Sequence, residues 1–115
     1  MIKRQNEMER KINTQMRGGT GDVEIIHLLS QGEYNGKARL IGVINLESGC
    51  SIGEHIHENE EEIFYVISGE ATYDDNGKTE MLSVGDTCIC KGGQKHSLKN
   101  NAAEKLSVFA VILTY

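Results

Sequence analysis

From residue 23 onward, short runs of β-branched and aromatic residues alternate with glycines, and no proline occurs anywhere in the 115 residues. That rhythm limits the chain more than any other feature it carries. Residues 23–29, 38–46, 63–67, 87–90 and 106–115 each read as strands, bounded by glycines such as Gly32, Gly36, Gly69, Gly85 and Gly93. Residues 106–113 are long enough for a buried helix, but their β-branched content and the short strands before them favour a strand. Residues 70–81 contain Asn76-Gly77, a pair suited to the positive φ angles of a tight hairpin. Many short strands with glycine turns and no long helix predict an all-β fold, an antiparallel barrel or sandwich.

At 115 residues there is room for one core, and 38% hydrophobic with 25% charged residues suits a soluble globular domain. No apolar run approaches the ~20 residues that span a bilayer. The first residues have no apolar stretch of the secretory kind, so a cytoplasmic location is expected. The total charge of −5 is unevenly spread. Residues 1–17 hold five basic side chains against two acidic ones, a net +3, which leaves −8 on the remainder. This balance disfavours nucleic acid and anionic membrane as partners, since no aromatic residue is interleaved with the basic ones. A basic arm, residues 1–20, on an acidic body, residues 21–115, is expected to dock on its own protein or on a second copy. Within the arm, Met8, Ile12 and Met16 lie at helical spacing, compatible with a short helix or a packed extended segment. Residues 17–21 (Arg-Gly-Gly-Thr-Gly) predict a flexible connection. Cys50, Cys88 and Cys90 form no Cys-x-x-Cys motif, and the last two read as small buried residues on one strand face.

Chemistry concentrates in the histidines. His55 and His57 are two apart at a strand end, so both imidazoles project from one face. Glu62 follows five residues after His57, and His96 follows a glycine turn after another strand. A His-x-His pair alone is commonly solvent-facing, and an acidic run such as residues 58–62 is commonly a solvated loop. Three imidazoles and one carboxylate converging in a barrel would instead make a nitrogen/oxygen site for a divalent transition metal. His27, on a strand with Val23 and Ile25, reads as a satisfied core or surface histidine.

Two stretches carry a family pattern. Gly49-(x5)-His55-x-His57-(x4)-Glu62-(x6)-Gly69 resembles the first cupin motif at every fixed position. Gly85-(x5)-Lys91-x-Gly93-(x2)-His96-(x3)-Asn100 resembles the second, with Lys91 where that family usually has proline. The 15 residues between the motifs match the spacing of small single-domain bacterial cupins. The resemblance implies a double-stranded β-helix, or jelly-roll barrel, preceded by a short arm or helix. It implies that His55, His57, Glu62 and His96 bind one divalent transition metal per chain. Manganese or iron is favoured, with nickel, zinc, copper or cobalt compatible. Loss of proline's fixed φ at Lys91 is expected to loosen the turn before His96.

Such cupins include dioxygenases, isomerases, decarboxylases, lyases and non-catalytic binders, and the fold does not choose among them. A metal-dependent enzyme acting on a small molecule, oxygen-dependent in the leading version, is set against a module that binds or senses a sugar or organic anion. Tyr65, Tyr73 and Lys95 could reach the pocket, although as single residues each fits packing or surface. A homodimer is expected, since barrels of this size leave sheet edges that need cover.

Overall fold

A computed structural model describes all 115 residues. Ten strands follow one another: β1 Glu9–Thr14, β2 Asp22–Leu29, β3 Ala38–Leu46, β4 Ser51–Ile56, β5 Glu60–Ser68, β6 Ala71–Asp75, β7 Lys78–Leu82, β8 Thr87–Cys90, β9 Lys95–Lys99 and β10 Leu106–Thr114. They form two antiparallel sheets, one ordered β1-β2-β3-β10-β5-β8 and the other β4-β9-β6-β7. This is the antiparallel all-β barrel that the glycine-punctuated strands predict, in the jelly-roll form that the cupin resemblance implies. No helix is long and apolar enough to cross a membrane.

Period-two alternation sets the core. Along β3, Leu40, Ile44 and Leu46 point inward and are buried, while Ile41, Val43 and Asn45 between them are half-buried. Strand β10 does the same with Leu106, Val108, Ala110 and Ile112, and β5 with Phe64 and Val66. The smaller sheet closes the barrel with Ile52, Ala71, Tyr73 and Leu98. Asn76 and Gly77 both take positive φ, 53° and 92°, in the two-residue turn joining β6 to β7.

Two expectations are corrected, and an alternative left open is decided. Residues 4–17, compatible with a short helix or a packed extended segment, take the extended form. The segment holds β1 between two single 3-10 turns, Gln5–Glu7 and Met16–Gly18, and Ile12 is exposed. Backbone pairing of β1 with β2, from Glu9 opposite His27 to Thr14 opposite Asp22, holds the segment extended. The glycine-rich segment after it is no loose connection. Thr20 accepts from the Ser51 amide at 2.8 Å and donates its own amide to Ser51 Oγ at 2.9 Å, fixing the segment to β4. Finally, Lys91 does not loosen its turn. Its amide, which a proline would lack, donates to Gln94 Oε1 at 2.9 Å, and the Gln94 amide returns to the Lys91 carbonyl at 3.0 Å.

Candidate metal centre

Each of the four candidate donors rises from a different backbone context. His55 lies near the end of β4 and His57 just past it, Glu62 lies on β5, and His96 on β9. His55 and His96 are direct cross-strand neighbours, while Glu62 comes from the facing sheet opposite Cys90. Both sheets therefore supply the cluster. Between β4 and β5 the chain turns sharply at Asn59, which takes a left-handed φ of 58°. The Gly93 amide donates to the His57 carbonyl at 2.7 Å, so the turn of the second motif is tied to the first. Asn100 is fully buried and structural: its Nδ2 donates to the carbonyls of Leu46 at 2.9 Å and Glu104 at 2.7 Å.

The three imidazoles turn their Nε2 atoms and Glu62 its Oε1 towards one point. His57 Nε2 lies 3.0 Å from both His96 Nε2 and Glu62 Oε1. His96 Nε2 lies 3.1 Å from His55 Nε2 and 3.2 Å from Glu62 Oε1. All four donor atoms fall within 4.8 Å of one another. The far nitrogen of each ring is separately engaged. His55 Nδ1 donates to the Gly53 carbonyl at 2.8 Å, His57 Nδ1 donates to Glu60 Oε2 at 2.6 Å, and His96 Nδ1 pairs with the Tyr73 hydroxyl at 2.9 Å. The Gly53 carbonyl and the ionised Glu60 only accept, which puts the hydrogen on Nδ1 of His55 and His57 and leaves their Nε2 electron pairs facing Glu62 and His96.

That arrangement fits a cation. Donors ~3 Å apart are the spacing expected around one ion with bonds of ~2.1 Å, and a set of imidazoles plus carboxylate suits a first-row transition metal. Partners on the far ring nitrogens fix tautomer and ring orientation, as metal-binding histidines require. Without a cation the cluster shares protons instead. Burial lowers the His55 imidazole from its usual value. Burial also opposes charge on His57, but its hydrogen bonds with Glu62 and Glu60 outweigh this and hold it above the usual value. Glu62 is buried, which favours its acid form, yet His57 and His96 draw it below the ordinary carboxylate range.

Residues beyond the predicted four complete the site. Glu60 receives a two-pronged ion pair from Arg39, Nε to Oε1 at 2.6 Å and a terminal nitrogen to Oε2 at 2.7 Å. This guanidinium holds the Glu60 carboxyl at about 2, fixing the charge that orients His57. Tyr73 sits 2% exposed beneath His96. Phe64 stacks on the His96 ring at 5.3 Å and 6°. Cys88 and Cys90 face the interior, pushed up to about 11 by burial, and take no part in the donor cluster.

Above the cluster opens a cavity of about 290 Å³. His55, His57 and Glu62 form part of its lining, with Ile25, Leu40 and Ile44 among its apolar walls. Lys11, Arg17 and Arg39 add positive charge, and His27 joins them. His27 is half-buried and stands outside the donor cluster. Of the other sequence candidates, Tyr73 supports His96, Tyr65 is 45% exposed on the outer sheet face, and Lys95 lies 3.6 Å from Glu54 at the surface. Glu60 and Arg39 were not separable from loop and strand charges in the sequence, because their roles depend on pairing across 21 positions.

A family model described as Cupin domain matches residues 42–112. An oxalate-binding protein of Thermotoga maritima is 41% identical over 113 residues, covering 98% of this chain and 93% of the relative. The crystal structure of a protein described as a predicted oxalate decarboxylase, also from Thermotoga maritima, matches with a TM-score of 0.94 at 40% identity, covering 100% of both chains. A sugar phosphate isomerase of the cupin superfamily from Silicibacter pomeroyi shares the fold at 16% identity, with a TM-score of 0.80 over 97% of this chain and 74% of its own.

Proposed function

The chain belongs to the cupin family, and from that premise we propose that it is a metal-dependent binding protein for a small organic dianion of the oxalate class. One observation carries this reading: the four converging donors open onto a cavity whose remaining charged lining, Lys11, Arg17 and Arg39, is basic. The 41%-identical oxalate-binding relative supports the choice of ligand class. His55, His57, Glu62 and His96 would hold one divalent transition metal, with manganese or iron ahead of nickel, zinc, copper or cobalt. When bound, that ion supplies a Lewis-acidic positive charge that attracts a carboxylate. The chain's own residues do the rest. Glu60, locked by Arg39, keeps the His57 ring in register, and Gly53 and Tyr73 do the same for His55 and His96. Ile25, Leu40, Ile44 and Ile52 exclude water from one side of the cavity, which strengthens every charge interaction within it.

Turnover of the bound anion is the second reading, favoured by the solved relative described as a predicted oxalate decarboxylase. Dioxygenation carries over from the family resemblance alone. Calorimetry separates these readings from one another. Oxalate titrated into manganese-loaded protein is expected to bind at one site per chain, and binding is expected to vanish after chelation. The same mixtures, followed for formate, carbon dioxide and oxygen uptake, are expected to show no sustained product. Steady product formation would replace the binding reading with an enzymatic one, and absent binding would end both.

We also propose that the chain forms a homodimer through the outer face of the six-stranded sheet. On that face Ile41, Val111, Ile63 and Ile89 lie side by side across four strands, next to a second row of Val43, Phe109 and Tyr65. Tyr65, Ile67 and Ile89 are 45%, 44% and 38% exposed, an apolar surface that a second copy would cover. Light scattering is expected to report a dimer for the wild type and a monomer for Tyr65→Glu. A dimer unaffected by that change would place the interface elsewhere.

A further inference from the structure

The basic arm reads in the sequence as an appendage, yet the structure builds it into the cavity. Lys11 and Asn13 of β1, and Met16 and Arg17 of the following turn, form one wall of the space above the donor cluster. Two features fix that wall. Gln15 and Arg17 both take left-handed φ angles, 53° and 55°, a conformation that side chains other than glycine seldom adopt and that persists only where the surroundings enforce it. The enforcing contact is glycine on glycine. A Cβ on Gly53 would collide with the Arg17 carbonyl and meet the Gly19 amide nitrogen at 3.0 Å, and a Cβ on Gly19 would collide with the Ser51 carbonyl. Gly53 is also the residue whose carbonyl orients His55. The arm is therefore seated on the backbone that carries a metal-ligand candidate, with no side chain between them.

Charge in the cavity is not equally available. Arg39 is committed to Glu60, and Lys11 lies 3.4 Å from Glu9. Arg17 makes no ion pair within the chain. Arg17 is an exposed residue of the cavity lining with no carboxylate partner, and its backbone is held in an uncommon conformation, so its cation is available to a partner that the chain does not itself supply.

We propose that Arg17 is the counter-charge for the carboxylate of a small dianion that faces away from the histidine–glutamate cluster, so that the arm is a working part of the binding site. This rests on the dianion-binding reading above. A dianion would then be held at both ends, whereas a monocarboxylate such as acetate would engage the cluster end alone. Arg17 would thereby set the preference for two carboxylates over one.

The test uses full-length, manganese-loaded wild type, Arg17→Gln and Arg17→Lys, with metal content measured on each preparation. Oxalate affinity is expected to fall about 10-fold or more in Arg17→Gln, the scale of a lost charge-assisted hydrogen bond, and to be partly restored in Arg17→Lys. Metal content and acetate affinity are expected to stay at the wild-type level in both variants. Equal oxalate affinity in wild type and Arg17→Gln would overturn the role of Arg17 alone. Failure of the loaded wild type to bind oxalate would overturn the dianion reading, and this inference with it. Parallel losses of metal, acetate and oxalate in Arg17→Gln would also overturn it, showing Arg17 to be a support for the fold of the site.

Discussion

Replacing His96 with alanine is expected to abolish stoichiometric metal binding, taking a purified preparation from about one metal per chain to almost none after dialysis. His96 is the most central of the four donors, since its Nε2 lies within 3.0–3.2 Å of His57, His55 and Glu62. Its removal leaves two imidazoles and a carboxylate, with Glu62 deprived of one of the two rings that keep it ionised. Loss of an orienting partner typically costs 10–100-fold in metal affinity, so loss of a donor should cost more than about 100-fold. The same holds for His57→Ala. A second signature should accompany it. A metal at 100 times its Kd stabilises a fold by about 2.7 kcal/mol, so adding manganese should raise the melting temperature of the wild type and leave both variants unmoved. Inductively coupled plasma measurement and a thermal scan check the two effects on one sample. Full metal retention in both variants would remove His57 and His96 from the site.

Phe64→Ala is expected to be the most destabilising single change in the core. Phe64 is 2% exposed at the centre of β5, between Ala110 of β10 and Cys88 of β8. Its ring stacks on His96 and meets Tyr73 edge-on at 6.2 Å and 85°. Truncating such a residue costs roughly 3–5 kcal/mol from lost transfer energy and the cavity left behind. For a chain of this length that corresponds to a fall of roughly 10–25 °C in melting temperature. The consequence reaches the donors, because Phe64 is the platform against which the His96 ring lies. Metal affinity should therefore drop as well, although no donor has been removed. Thermal unfolding followed by circular dichroism, with a metal titration of the same variant, measures both. A loss below about 1 kcal/mol with unchanged metal affinity would show that the ring neither fills the barrel nor fixes His96.

The parts of this molecule that were legible in its sequence are those decided locally. Period-two alternation marks β3 and β10 because each has one face in the core, and Asn76-Gly77 marks its turn because both residues tolerate positive φ. The spacing of His55, His57 and Glu62 reflects one strand end and one sharp turn, so it too survives in the linear text. Strand β9 was not legible: Lys95-His96-Ser97-Leu98-Lys99 has one aliphatic residue, and its strand character comes from pairing with β4 on one side and β6 on the other. Strand β1 could not be told from a short helix for the related reason that its side chains are mostly exposed and its order comes from backbone bonds to β2. Arg39 and Glu60 escaped notice as site residues, and Tyr73 could be named only as a residue that also fits packing, because each acts through a partner that exists only once the sheets have closed. The glycine contact between Gly19 and Gly53, which turns a supposed linker into a cavity wall, joins positions 34 apart and leaves no local mark.

Electron paramagnetic resonance of manganese titrated into chelator-treated protein tests the central claim most directly, because free and bound Mn²⁺ are counted separately and the bound signal responds to ligands at the ion. The predicted result is one tight site per chain, absent from His96→Ala, whose signal changes when oxalate is added and reaches saturation at one oxalate per manganese. Manganese that stays free in the presence of the wild-type chain, or a bound signal indifferent to oxalate, would contradict the account.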